Sequence, residues 1–392
     1  MNFTHRIFCL GLAALACLTP AVPASPYCCD GEKSLPLVAQ FDEAQIVLFG
    51  HFENARAAAS GGMTDFVIER VYKDHPMIKG QKTLALPRFV NEPKTKYIIF
   101  CDIYKGKIDA YKGTALVDDG EMVKYIEGIM KMKGKSQPER LRFAFDYLTS
   151  PEVEVAMDAY REFARADYRD YKEIAKTLPA DKLAGWLQDP KTPPYRYGLY
   201  ATLLGHCGNS KHAELLMGMI SDAERRKSSG LHGLMMAYAM LEPDKGWKFL
   251  KGMVQDKDQP FLVRYSGLQT LRFLYEARPD IVNKDESAAK KEVLSGLAGV
   301  LNVTDMADFA IEDLRKWKRW EYADQVIGLF GQKNFSAPII RKSILRYALQ
   351  CPTNDAKAFV KTQEANNKEW VDDTRELLEL ETIPPAVTAV KK

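Results

Sequence analysis

From Asp118 to about Glu381 the chain is a succession of amphipathic segments of ~10 to 16 residues, apolar at helical spacing and punctuated by Pro, Gly or Asn. A polypeptide written this way over most of its length can bury its apolar stripes only by stacking helix on helix. Helices are expected to begin at Pro138, Pro151, Ala180, Pro194, Ser210, Gly230, Pro243, Pro260, Ser287, Thr304, Glu321, Ala337 and Asn354. Several starts carry proline in the first turn, where its missing N–H costs nothing.

The first part of the chain has a different texture. Residues 44–50 (AQIVLFG), 64–72 (TDFVIERVY), 83–87 and 97–103 (YIIFCDI) are short β-branched and aromatic runs between turn residues. This spacing predicts a small antiparallel barrel or sandwich, although Val67, Ile68 and Val71 straddle both faces of their strand. In the helical part, the helix centres Ala159, Gly198, Gly233, Gly267, Ala310 and Ile344 recur at steps of 39, 35, 34, 43 and 34 residues. Each such helix is followed by a second apolar helix, which suits a HEAT-like solenoid; an irregular helical bundle is the alternative.

A hydrophobic content of 46% excludes a disordered or fibrous chain, and 55 Lys and Arg against 52 Asp and Glu make no case for nucleic acid as partner. Residues 1–24 read as a secretory signal, with Arg6 in the n-region, an apolar run from Ile7 to Leu18 and the small-residue site Val22-Pro23-Ala24. That run is too short to span a bilayer, and no later stretch is long and apolar enough. The mature chain is therefore expected to be exported, periplasmic or extracellular, without a membrane span. Acylation at Cys17 is a competing expectation, but Leu15 stands one place too close to the cysteine. Removing the signal leaves Cys28, Cys29, Cys101, Cys207 and Cys351, an odd number far short of a disulfide scaffold.

No G-x-S-x-G, H-E-x-x-H, C-x-x-C or G-x-G-x-x-G occurs, so no catalytic residue, metal ligand or cofactor is assigned. Gly134-Lys135-Ser136 lacks a correctly spaced upstream glycine and reads as linker. His206, Cys207 and His212 are chemically fit for zinc but match no zinc module. Asp158 and Glu162 lie one helical turn apart, as an acid/base pair would. The helical wheel puts them on a charged flank with Arg161 and Arg165, which predicts a solvated ion-pair face.

Arg264 falls inside the apolar arc formed by Phe261, Gly267, Leu268, Leu271 and Leu274, and Arg196 lies similarly among Leu199, Tyr200 and Leu203. A buried guanidinium needs an anion. Each is expected either to pair with an acid of the adjoining helical unit or to hold an anion or partner. Trp317 and Trp320, set among Arg315, Lys316, Lys318 and Arg319, are further partner-contact candidates, with a core-plugging role as the alternative.

An early cysteine followed by AQIVLFGHF, TDFVIERVYK and KYIIFCDIYKG resembles the netrin-like, OB-type barrel shared with tissue inhibitors of metalloproteinases. The resemblance implies a bond from Cys28 or Cys29 to Cys101. It does not carry over metalloproteinase inhibition, since Ser25-Pro26-Tyr27 precede Cys28. DAYREFARADY, YRYGLYATLLGHCG, SGLHGLMMAYAML and IEDLRKWKRW are similar to uncharacterised exported proteins of planctomycete-type bacteria. That likeness implies the two-part architecture and an envelope setting, but no activity. Cys207 and Cys351 end helices four repeat units apart, so thiols are expected there unless the superhelix closes.

The reading is thus α+β: a signal peptide (1–24), a small OB/netrin-like antiparallel β-barrel (25–118), a helical linker (119–137), an all-α HEAT-like solenoid (138–383) and a tail (384–392). The expected function is that of an exported non-catalytic scaffold binding a protein or envelope component through the solenoid. The alternative is an enzyme or enzyme-regulating module with an anion-binding cleft between the two domains.

Overall fold

The computed structural model describes residues 35–382 apart from 59–60, 93–94 and 117–119. The signal segment, Cys28, Cys29 and the tail lie outside the described residues. The architecture is mixed α+β, and the chain separates into two compact units at Met306/Ala307, so the change of texture near 118 falls inside the first of them.

The first unit opens with helix α1 (Leu37–Glu43) and five strands, β1 (Ile46–Ala58), β2 (Gly61–Lys73), β3 (Thr83–Leu86), β4 (Lys96–Tyr104) and β5 (Lys107–Leu116). They form one antiparallel sheet in the order β3-β2-β1-β4-β5. The sheet curls until the Arg88 guanidinium donates to the Ala110 carbonyl of β5. No ladder joins the edge strands among the described residues, so it is an open sheet and not the closed barrel anticipated. β4 and β5 are joined by the two-residue turn Lys105-Gly106, both at positive φ, as a tight hairpin demands.

Both faces of the sheet are buried, which explains why the runs IVLF and YIIF are continuously apolar. Val47, Phe49, Ile98 and Phe100 pack against Leu37, Val38 and Phe41 of α1 and against Met122, Tyr125, Ile126 and Ile129 of α2 (Glu121–Met132). Ile46, Leu48, Ile99 and Cys101 face the other way, onto Phe66, Ile78, Leu84 and Leu86.

Helices α3 (Gln137–Phe145), α4 (Val153–Arg165), α5 (Tyr168–Ala175) and α6 (Ala180–Gln188) follow. Then come α7 (Tyr197–Cys207), α8 (Ser210–Ser221), α9 (Leu231–Leu241), α10 (Pro243–Gln255), α11 (Phe261–Glu276) and α12 (Glu286–Val300). α9 packs between α7 and α11, while α8 and α10 lie against α9, and α10 and α12 against α11. The small helix centres picked out by the repeat are points of close approach: a β-carbon on Gly233 would sit 2.4 Å from the Gly198 carbonyl oxygen. Only glycine lets the backbones of α7 and α9 meet there.

The second unit holds α13 (Ala307–Lys316), α14 (Ala323–Gly328), α15 (Pro338–Gln350), α16 (Asn354–Asn366) and α17 (Lys368–Thr382). α15 is its centre, touching α13, α14, α16 and α17. No described helix is long and apolar enough to cross a membrane.

Candidate functional site

Three arginines define the N-terminal edge of the α7–α9–α11 layer. Arg196, 7% exposed, precedes α7. The sequence predicted an acidic partner or an external anion for it. The structure gives it neutral acceptors: its guanidinium donates to the Leu148 carbonyl (2.6 Å) and to the hydroxyls of Tyr200 (3.4 Å) and Tyr195 (3.3 Å), and it lies over the rings of Tyr160 and Tyr195. Stacking and a carbonyl take the place of a carboxylate.

The other two cations come from the turn Arg225–Lys227, just ahead of α9. Arg225 lies over the Tyr197 ring at 5.7 Å, and Arg226 donates to the Gln259 side-chain oxygen. The buried Nε–H of Arg226 and the buried hydroxyl of Ser228 have no partner among the described residues. Among those residues no carboxylate pairs with Arg196, Arg225 or Arg226, whereas Lys227 pairs with Glu224 at 2.8 Å.

α11 extends this edge outward. Thr270, midway along it, reaches the His232 carbonyl at the start of α9 (3.3 Å), so its first turns run past α9 and meet the arginine turn. Phe261 and Leu262 are 38% and 57% exposed there, and Tyr195 is 37% exposed at the start of α7. Phe261, assigned to the buried arc from its wheel position, keeps 38% of its surface exposed and is stacked on Tyr265. Arg264, one turn on, is buried and bidentate to Asp305 (2.8 and 2.6 Å), with Nε on the Gln259 carbonyl (2.9 Å). It is occupied within the protein.

A second polar site overturns the solvated-face reading of α4. Asp158 and Glu162 are 1% and 6% exposed. Asp158 accepts the Leu37 N–H (2.8 Å) through Oδ1 and the Tyr125 hydroxyl (3.0 Å) through Oδ2. Pro36 offers α1 no side-chain cap, so Asp158 takes one of its otherwise unpaired first-turn donors. The wheel erred because α4 is packed on more than its apolar arc: α2 and α3 both lie against it, and α1 is tied to it by Asp158. Burial pushes the Asp158 carboxyl up to about 6, opposed by its two hydrogen bonds. Burial and then repulsion from Asp158 push Glu162 up to about 7. Asp158 borders a shallow recess, about 350 Å³ including open solvent, that is also lined by Gln40, Lys112, Thr114, Glu154 and Arg161. Lys112 donates to the Gln40 side-chain oxygen at 2.6 Å. Both Asp158 oxygens are already engaged, so its role here is to anchor α1 and α2 to α4.

The remaining candidates are placed individually. Trp317 and Trp320 are half-buried, and Trp320 meets Tyr347 edge-on at 5.1 Å. Arg315, one of the cations set around them in sequence, is buried on Glu312 (2.6 Å) and Glu381 (3.0 Å). His212 caps its own helix, accepting the Asn209 N–H at 3.2 Å, and approaches Asp181 at 3.3 Å. His206 packs on Tyr168, and burial, with Arg278 nearby, drives its imidazole down to about 4. No group of three metal-ligating side chains occurs among the described residues. Cys207 and Cys351 carry thiols. Cys101 is buried in the sheet core with its thiol pushed up to about 12 by burial; the bond expected for it falls on Cys28 and Cys29, outside the described residues.

The sequence reading missed Arg225, Arg226 and Leu262. The signal was present as a cation run three residues before the largely apolar helix LHGLMMAYAML and as an apolar pair directly after Pro260.

No protein-family model matches the chain, and no curated protein matches it. Among solved structures, human deoxyhypusine hydroxylase in complex with glycerol aligns with 67% of this chain and 97% of its own at 14% identity. The TM-score is 0.24, at which no argument about fold or function follows.

Proposed function

We propose that the chain is an exported, non-catalytic interaction protein, periplasmic or extracellular, in which α7–α12 form a HEAT-like solenoid and the N-terminal edge of α7, α9 and α11 captures a protein or cell-envelope component. The observation that carries this reading is the edge itself. Leu262, 57% exposed, and the partly exposed Phe261 present apolar surface at the start of α11, just after the Gln259 that Arg226 reaches. Apolar surface rimmed by polar groups marks a binding face more often than a defect. The export pattern and the two resemblances support the setting.

The test is recovery of the partner from the envelope fraction by the mature chain, compared with the double variant Phe261→Ser, Leu262→Ser. Leu262 is exposed and Phe261 partly so, so the variant is expected to fold with a loss of about 1 kcal/mol, most of it from the Phe261 stack on Tyr265. Loss of the captured component in the variant supports the proposal; equal recovery contradicts it.

A second reading is favoured by the recess, where a carboxyl raised to about 6 meets Lys112 and Arg161. Perturbed carboxyls in clefts are where acid/base chemistry or anion binding arises. On that reading the site of the enzyme or regulator lies at Asp158 and not at Arg264 or Arg196. Asp158→Asn would then abolish function, while the Phe261/Leu262 variant would not.

A further inference from the structure

We infer that the N-terminal edge of α7, α9 and α11 recognises an acidic peptide segment that carries an apolar side chain, an inference that rests on the interaction reading above and gives the partner its chemistry. Two independent features point there. The first is an imbalance of pairing. Four of the acids near the edge are already engaged: Asp222 accepts the Glu224 and Arg225 N–H groups, Glu224 takes Lys227, Asp256 accepts the Gln259 amide and Asp305 takes Arg264. Asp258 stands exposed beside Lys257 in the sequence. Arg225 and Arg226, both half-buried, are left with an aromatic ring and a neutral amide. A half-desolvated guanidinium is a strong carboxylate receptor, because its planar fork matches two carboxylate oxygens and it is weakly hydrated.

The second feature is Phe261 and Leu262, seated on the same turn of chain that supplies Gln259 to Arg226. Phe261 is stacked on Tyr265 at 5.8 Å, which holds its ring in place. Inorganic phosphate or a nucleic-acid backbone could meet the arginines but offers nothing apolar to the exposed Leu262 side chain. A peptide with glutamate or aspartate next to leucine or phenylalanine covers both, with backbone polar groups left at the rim. The charges then set orientation and on-rate, and the apolar contact slows release.

The experiment uses the full mature chain and fluorescence anisotropy. The probe is a fluorescein-labelled peptide of glutamates flanking a Leu-Phe pair, and its control has glutamine at every glutamate. The expected result is a Kd for the glutamate peptide at least tenfold lower than for the control, with that preference shrinking as salt is raised. Arg225→Gln with Arg226→Gln is expected to erase the preference, and Phe261→Ser with Leu262→Ser to weaken both peptides. The salt series on the unmodified chain needs no variant, so misfolding cannot mimic the result. Equal affinity for the two peptides overturns the inference, as does competition by inorganic phosphate as effective as by the glutamate peptide. If the preference is absent but the Phe261/Leu262 variant still loses its envelope partner, the acidic class falls and the interaction reading stands. If that capture is also unaffected, both fall.

Discussion

Replacing Asp158 by asparagine should stabilise the protein at mildly alkaline pH and leave it almost unchanged in acid. The carboxyl is held near 6 in the folded chain, against an ordinary value of 3.8, with burial the largest cause. A raised folded value means that the native state binds the proton more tightly than the unfolded state. The associated stability is fully present below about pH 3.8 and is lost as pH rises through about 6. Some 2 pKa units at about 1.4 kcal/mol each put the destabilisation from the ionised group at about 3 kcal/mol above neutrality. Asparagine keeps the shape and both hydrogen bonds: its carbonyl accepts the Leu37 N–H, and its amide donates to the Tyr125 oxygen. It also relieves Glu162, whose own elevation owes its second-largest part to Asp158. The assay is urea denaturation of both proteins at intervals from about pH 4 to pH 8. The stability difference should grow with pH towards about 3 kcal/mol in favour of the variant. Asp158→Ala, which strands the Leu37 N–H and the Tyr125 hydroxyl, should instead lose about 1 to 3 kcal/mol for each group in acid, a loss that shrinks as pH rises because alanine too lacks the ionisable carboxyl. A variant Asp158→Asn that is less stable than the parent at pH 8, with an unchanged pH slope, would refute the reasoning.

At the start of α11, Arg264→Leu should cost less than Asp305→Ala, since the latter leaves a guanidinium only 6% exposed without its carboxylate; a loss of about 1 to 2 kcal/mol is expected for the alanine variant because Asp305 is itself half exposed, and chemical denaturation of the two variants reads the order. Gly233→Ala should destabilise by about 1 to 3 kcal/mol because its β-carbon meets the Gly198 backbone, while Gly218→Ala, in α8 with open space around it, should stabilise by up to about 1 kcal/mol, as measured by thermal melting. Mass spectrometry of protein recovered from cells should find Ser25 at the N-terminus, in keeping with the pattern from Arg6 to Ala24; a chain that still starts at Met1, or a lipid on Cys17, contradicts export by signal cleavage.

Much of the secondary structure was legible because local rules act strongly on it. Pro194, Pro243 and Pro260 lie within one residue of observed helix or turn starts, and the strand runs at 44–50, 64–72 and 97–103 fall on β1, β2 and β4. β5 was not read because it is an edge strand whose Lys107, Asp109, Tyr111 and Gly113 face water and break its apolar pattern. The starts of α5 and α17 were not picked out, although both lie within the stretch read as helical, because charged residues in their first turns mask the onset of the apolar pattern. The depth of Asp158 and Glu162 was illegible for a different reason. A helical wheel ranks faces by their own polarity, whereas these carboxyls are buried by the neighbours assembled around α4, one of them 121 residues away in sequence. Arg264 was read correctly as buried because an arginine inside an apolar arc is a local contradiction that only a partner resolves. The exposure of Leu262 at the start of α11 depends on how the neighbouring segments pack there, a quantity that periodicity does not give.

The claim that this edge binds a partner is tested most directly by placing a photoreactive benzoyl-phenylalanine at Leu262 of the full chain in living cells and, as control, at the exposed Ser287 at the start of α12. Irradiation is predicted to give a discrete crosslinked species from position 262, removed by Arg225→Gln with Arg226→Gln, and none from position 287. No adduct at 262, or the same adducts at both positions, would contradict the account.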